Sequence, residues 1–454
     1  MVTVVAVLLI LAACTNGATE ATSPTAPPDA FAPTPTIGGI PTTTLVPTTA
    51  AHDERVVLQR VDPVSLQPMT AFEPIPMGDW FWGPKVSPDG RYLAATVDHD
   101  LGGSELRLVD LQSWVPVSSW PNSGALLVHV NEFGTIFSMS YTAAPEFRIT
   151  QADATEGTLV ASLPVNYSVW GAEYVTDELF VTFGTRPAEP RSAQFEQVFV
   201  ATIGLSEGEA VVTETALPHV HVGSVDPVSQ GPRAGYLYTS PSFTWDPLGK
   251  RLLVVHGDED VVSEYDIRSG EVIEHPLAGT DDPGTGARRI SASSPDGRFL
   301  HIATREVELI EDDDDWSVIT RPAGVKTIDT NTWEMMGNNL EPISDIWVSP
   351  SGGLLGTGYT TEESESIFLE ESTGLYLLDG SDLSVRVHYP PETSSQLWGP
   401  VSFTESGEIA YTSTWDQNAK VHALEMATGE ILSTAESADT LEMIGSVGVL
   451  ATNR

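Results

Sequence analysis

One turn, repeated along the chain, constrains the fold more than any other feature. Ser87-Pro88-Asp89-Gly90 and Ser294-Pro295-Asp296-Gly297 are full copies, and Ser349-Pro350-Ser351-Gly352 and Asp246-Pro247-Leu248-Gly249 are decayed ones. A short apolar run follows each full copy, Arg91-Tyr92-Leu93-Ala94-Ala95 and Arg298-Phe299-Leu300-His301-Ile302. Proline pre-sets the first turn dihedral, aspartate tolerates the second, and glycine takes the positive φ that opens the next strand. One hairpin recurring at intervals predicts a repeat architecture.

Beyond residue 53 the chain reads as strands. Apolar and polar residues alternate in segments rich in Val, Thr, Tyr and Ile, punctuated by Gly, Pro and Asp. Two kinds of hairpin follow one another. The first carries the turn above and begins near residues 82, 126, 169, 243, 290, 345, 398 and 441. The second has a polar turn, as in residues 106–115, 262–272 and 421–431. A pair of hairpins makes a four-stranded unit of about 40 to 55 residues, the period of a propeller blade.

The ends of this region complete one another. Residues 55–74 read as a second hairpin without a first, and residues 441–452 as a first without a second. Joining them in one blade closes a ring and removes the exposed edges of an open array. The count is then eight blades, with seven as the alternative. A longer insertion, residues 219–240, is expected between blades three and four. Another long loop, residues 306–323, is expected to hold Asp312-Asp313-Asp314-Asp315.

This pattern resembles bacterial β-propellers with WD40-like or TolB-type repeats, in which the Ser-Pro-Asp-Gly turn is the commonest signature. The resemblance covers most of residues 54–454 and implies an all-β propeller of four-stranded blades. It is unspecific for activity, because such propellers bind or process many unrelated things.

The N-terminus reads differently. Residues 2–13 form an uncharged apolar run, too short to span a bilayer and the right length for a signal-peptide core. The run closes in Leu11-Ala12-Ala13-Cys14, which resembles the bacterial lipobox. That resemblance implies cleavage before Cys14, lipidation of its thiol, and an extracytoplasmic protein anchored to the cell membrane. Cys14 is the single cysteine, so no intramolecular disulfide forms. The expected organisation is a signal peptide over 1–13, a lipidated cysteine and disordered Thr/Pro/Ala-rich tether over 14–53, and one propeller domain over 54–454. If extended at ~3.1 Å per residue, the tether reaches on the order of 100 Å.

Charge narrows the partners. Twenty-one basic residues stand against 63 acidic ones, for a net charge of -42. Such a field repels nucleic acid and anionic headgroups. The membrane is therefore reached through the lipid, and a protein or carbohydrate ligand is the expected partner of a monomer.

Three tryptophans share a register. Trp82-Gly83-Pro84, Trp170-Gly171-Ala172 and Trp398-Gly399-Pro400 each fall just before the innermost strand of a blade, near one mouth of the channel. Three indoles there would make an aromatic platform for a sugar, peptide or protein anchor. The other reading is packing between blades, the role expected of Trp245 and Trp347. The Asp312 to Asp315 run lacks the alternate spacing and turn glycine of a calcium loop and reads as a solvated loop. His219 and His221 would share a strand face, but a third ligand for zinc is not identifiable. No nucleophile elbow, His-Glu-x-x-His or phosphate-cradling glycine loop is present.

No catalytic residue, metal or cofactor is therefore assigned. A binding or scaffold module is the leading reading. The alternative is a propeller enzyme, a lactonase, lyase or glycoside hydrolase, working through channel carboxylates.

Overall fold

The computed structural model describes residues 56–453 apart from short stretches, of which 188–194, 225–237 and 278–286 are the longest. Cys14 and the segments over 1–13 and 14–53 lie outside the described residues.

The chain folds as an all-β propeller. Successive antiparallel strands form four-stranded sheets, as Trp80–Val86, Tyr92–Asp98, Ser104–Asp110 and Val115–Asn122 do in blade 1. Blades 2, 3, 4 and 7 begin at Ala125–Val130, Ser168–Thr176, Ser242–Asp246 and Leu397–Phe403. Blades 5 and 6, which begin at Ala287–Ser293 and Asp345–Val348, are fused in one eight-stranded sheet. The last sheet draws on both ends of the described chain. Its order runs Leu441–Ile444, Val449–Asn453, Val56–Arg60, Ile75–Pro76, with Val57 opposite Thr452 and Arg60 opposite Val449.

The core lies between blades. Leu58, Met77, Leu93 and Val97 of blades 8 and 1 form one fully buried cluster. Leu108 and Ile136 join blades 1 and 2, Phe147 and Phe180 blades 2 and 3, and Val200 and Leu252 blades 3 and 4. The series continues through Leu253 with Leu300, Val325 with Leu354, Leu377 with Leu424, and Tyr411 with Leu450. Each such side chain contributes about 1.5–3 kcal/mol by leaving water. The apolar alternation in the strands follows from this geometry, since both faces of every blade are covered. Trp245 and Trp347 pack into these clusters as expected.

The repeated turn works through its serine as well as its glycine. Ser87 Oγ donates to Asp89 Oδ1 at 2.6 Å and accepts the Tyr92 N–H at 2.8 Å. Ser294 repeats this with Asp296 at 2.6 Å and the Phe299 N–H at 2.9 Å. Gly90 and Gly297 take φ of 71° and 66°. In the copy that begins at Asp246, Lys250 is the residue found at positive φ, 54°.

A second turn signature joins the outer two strands. Asp62, Asp110, Asp266, Asp329, Asp379 and Glu425 each precede by four a residue of positive φ: Leu66, Trp114, Gly270, Trp333, Leu383 and Gly429. Asp266 Oδ1 accepts the N–H groups of Arg268 and Ser269 at 2.9 and 2.7 Å, and Asp62 Oδ1 those of Val64 and Ser65 at 3.1 and 2.8 Å. A left-handed Leu or Trp costs about 1–2 kcal/mol. Burial offsets that cost, because Leu66, Leu383 and Trp114 all end in inter-blade clusters.

The expected loop over 306–323 is a hairpin, and the described ends of the expected insertion over 219–240 are strands. Residues 306–323 belong to a hairpin in which Phe299–Asp312 pairs with Asp315–Asp329 as far as Asp312 opposite Asp315. The stretch from residue 219 begins inside Glu209–Ser224, and Gly223 and Ser224 pair with Thr239 and Tyr238 as a fifth strand of blade 3. Turn signals are sparse over 306–323, and a long hairpin needs none along its length.

Candidate functional site

The two faces of the ring differ in kind. First strands run towards the Ser-Pro-Asp-Gly turns and third strands towards the Asp-capped turns, so both kinds of turn share one face. On that face the polar side chains serve the turns. Arg91 donates to Asp110 Oδ2 from Nε and Nη2, and Arg298 Nε to Asp329 Oδ2 at 3.2 Å. Hydrogen bonds from the Ser65 N–H and hydroxyl hold the Asp62 carboxyl below its usual range, and the Ser269 N–H does the same for Asp266. The opposite face carries the connections between second and third strands and between blades. There lie the extended hairpins, the extra strand of blade 3, and the ends Val56 and Asn453.

All three tryptophans lie towards that second face, each beside a bulge of its first strand: between Trp82 and Lys85, Val169 and Gly171, and Trp398 and Val401. Their surroundings differ. Trp82 is half-buried outside the core clusters, and its Nε1 donates to Asp98 Oδ2 at 2.9 Å. Trp170 packs into the core between blades 3 and 4 and donates to Thr185 Oγ1 at 3.1 Å. Trp398 packs into the core between blades 6 and 7, 5.3 Å from the His422 ring, with Nε1 buried and without a hydrogen-bond partner. Packing thus accounts for much of Trp170 and Trp398, and Trp82 is the most available of the three.

The largest departure from the repeat stands on the same face. The hairpin of blade 5 and the hairpin Leu354–Ser364 with Phe368–Leu378 of blade 6 run past their neighbours and join edge to edge, with Ser317 opposite Ser364 and Thr320 opposite Thr361. At its root Arg305 Nη2 donates to both oxygens of Asp345, at 2.6 and 2.5 Å, with its guanidinium 4.4 Å from the Tyr359 ring centre. Ser344 Oγ also donates to Asp345, at 2.8 Å. The carboxyl of Glu370 is raised by burial, with Arg305 opposing that shift.

Register sorts the residues of this projecting sheet by face. Glu308 lies opposite Ile319, Ile319 opposite Glu362, and Glu362 opposite Leu369. Opposed residues share a face and alternate along a strand. Glu306, Glu308, Glu362 and Glu371 therefore share one face with Arg321, which pairs with Glu308. The other face is covered, since Val307 is 7% and Thr320 8% exposed.

Other candidates resolve into packing. His219 is exposed at φ 62°, in a stretch of its strand where the register shifts between Gln197 and Phe199. Among the described residues no group of three metal-ligating side chains is found. Arg289 donates to the Glu259 carbonyl and Asp260 Oδ1 at 2.8 and 2.5 Å, joining blades 4 and 5. A recess of about 440 Å³ beside the Trp114 turn is lined by Phe72, Pro74 and Pro116, and Arg60 stacks on the Phe72 ring at 4.7 Å. Sequence reading missed the projecting sheet. Its signal was the alternation Glu306-Val307-Glu308, obscured by the aspartate run that follows.

No protein-family model and no curated protein matches the chain. Among solved structures it is similar to dihydro-heme d1 dehydrogenase NirN in complex with DHE, at 16% identity and a TM-score of 0.50 over 87% of this chain and 76% of that one. It is also similar to the β-propeller domain of Cps50 (Swd1) from Myceliophteria thermophila, at 12% identity and a TM-score of 0.42 over 82% of this chain and 96% of that one. Likeness at such identity concerns the fold alone.

Proposed function

We propose that this protein is a membrane-anchored, extracytoplasmic binding or scaffold module, lipidated at Cys14, that engages a protein or carbohydrate partner through the face opposite its turns. The observation that carries this reading is the division between faces. On one, Ser, Asp and Arg side chains are engaged in closing and tying turns. On the other, the repeat is broken by projecting strands, and loops on a rigid scaffold are where recognition concentrates. Trp82 is the aromatic residue best placed to contribute. Because Val56 lies on this face, a tether leaving there would turn the recognition surface towards the membrane. The buried ion pairs of the same face, Arg289 with Asp260 and Arg305 with Asp345, suit rigidity more than turnover and weigh against the enzyme reading.

Photocrosslinking in intact cells tests the proposal. Trp80 and Leu340 are 59% and 79% exposed on the proposed face, and Phe133 and Leu248 are 70% and 57% exposed on the turn face. Photoreactive residues at the first pair should give a discrete adduct, and those at the second pair none. Adducts confined to Phe133 or Leu248 would refute the assignment of the face.

A further inference from the structure

We infer that Glu173 and Lys85 form a binding site in the channel for a small zwitterion, its ammonium end on Glu173 and its carboxylate end on Lys85. The inference adds a second site to the binding-module reading and does not depend on it. Both residues sit on first strands, Trp80–Val86 of blade 1 and Ser168–Thr176 of blade 3, each at one end of its sheet's strand order. The first strand of blade 2, Ala125–Val130, stands between them and touches both. Side chains of blades 1 and 3 therefore meet only across the channel. Tyr174 turns to blade 2, its ring stacked on His129 at 3.7 Å, and alternation points its neighbour Glu173 away from that contact. Lys85 closes the bulge that begins at Trp82, and a bulge re-aims the side chains beside it.

The two groups attract without satisfying one another. Glu173 is 7% exposed, and among the described residues no group donates a hydrogen bond to its carboxyl. Burial raises that carboxyl above its usual range, and Lys85 opposes the shift, so the ammonium lies near enough to be felt. Lys85 is itself partly buried, and among the described residues no ion pair joins the two. By contrast, Arg289 and Arg305 are paired with Asp260 and Asp345. A buried carboxyl left without donors costs stability, which a ligand that supplies them would offset. Charge selects that ligand. A lone amine is repelled by Lys85 and a lone carboxylate by Glu173, and the net charge of -42 also disfavours anions. A molecule with an ammonium at one end and a carboxylate at the other answers both groups and is neutral as a whole. The ligand class is the amino acids.

Isothermal titration calorimetry on the full chain tests this with amino acids of increasing span: glycine, β-alanine, γ-aminobutyrate and ε-aminocaproate. One span should bind best, and butylamine and butyrate, each with a single charge, roughly tenfold or more weakly. Glu173→Gln and Lys85→Met should each weaken the best ligand by about tenfold or more. Glu271→Gln, exposed on the turn face, should leave it unchanged. Glu173→Gln removes a buried carboxyl that has no donor, so its thermal midpoint should equal or exceed that of the parent chain. That separates loss of binding from loss of fold. Absence of binding across the series would overturn the inference. So would butylamine binding as well as the best amino acid, which would make this a plain cation site. A lower thermal midpoint in Glu173→Gln would also overturn it, by making the carboxyl a structural partner of Lys85. None of these results bears on the crosslinking of Trp80 and Leu340, which tests the face.

Discussion

Arg91 donates from both Nε and Nη2 to a single oxygen of Asp110, at 3.1 and 3.0 Å, and so ties the inner turn of blade 1 to its outer turn. The same aspartate accepts the N–H groups of Gln112 and Ser113 through its other oxygen, at 2.9 and 3.0 Å. Burial opposes ionisation of Asp110, but these donors and the guanidinium win and hold its pKa low. The partners are unequal. Asp110→Ala removes the cap and the pair together and should cost about 1–2 kcal/mol. Arg91→Ala leaves the cap intact, and its side chain is 44% exposed, so the loss should be smaller. Urea unfolding midpoints of the two variants give the comparison.

Identical motifs should respond differently to the same change. Gly90 and Gly297 both adopt positive φ, so alanine strains either site by about 1–2 kcal/mol. At Gly90 the nearest atom to an added Cβ is Val447 Cγ1 at 3.7 Å, whereas at Gly297 the Cβ would collide with the carboxylate of Asp246. That carboxylate holds Arg251 at 2.7 Å. Gly297→Ala should therefore lower the thermal midpoint more than Gly90→Ala, and equal losses would show that Asp246 yields freely.

His301 makes stability depend on mild acid. It is buried against Thr327, with Nδ1 2.8 Å from Oγ1, and burial lowers its pKa to about 4. The unfolded chain binds this proton near pH 6.5, so the folded state binds fewer protons between the two values. Its contribution is present above pH 6.5 and is lost as pH falls towards 4, up to about 3 kcal/mol. His301→Gln should flatten the unfolding free energy over that window, whatever its effect at neutral pH. An unchanged slope would place the acid response elsewhere.

The tryptophans should separate by role. Trp398→Ala opens the core between blades 6 and 7 and should cost about 2 kcal/mol or more. Trp82 lies outside the clusters and loses chiefly its bond to Asp98, so Trp82→Ala should cost about 1 kcal/mol. Calorimetry of both variants checks the order, and a large loss at Trp82 would make it a packing residue too.

The blades were legible because their turns announce themselves. Ser87, Ser294 and their glycines mark first hairpins, and the strand alternation supplied the second. The Asp-capped turn was partly hidden, because Trp114, Trp333, Leu66 and Leu383 occupy a position where glycine is the usual sign. Only the surrounding core explains why large side chains are tolerated there. The projecting sheet was hidden for a related reason. Glu306 and Glu362 alternate along strands that cover no core on their exposed side, so the pattern resembles a polar loop. Trp82, Trp170 and Trp398 lie within first strands and not just before them, and their separation by burial depends on neighbouring blades that lie far off in sequence.

Oxidative footprinting of Trp80, Leu340, Phe133 and Leu248, compared between intact cells and the isolated protein, tests the division of faces directly. Occupancy of the face opposite the turns predicts protection of Trp80 and Leu340 in cells, with Phe133 and Leu248 oxidised equally in both settings. Protection of Phe133 and Leu248 alone would contradict it.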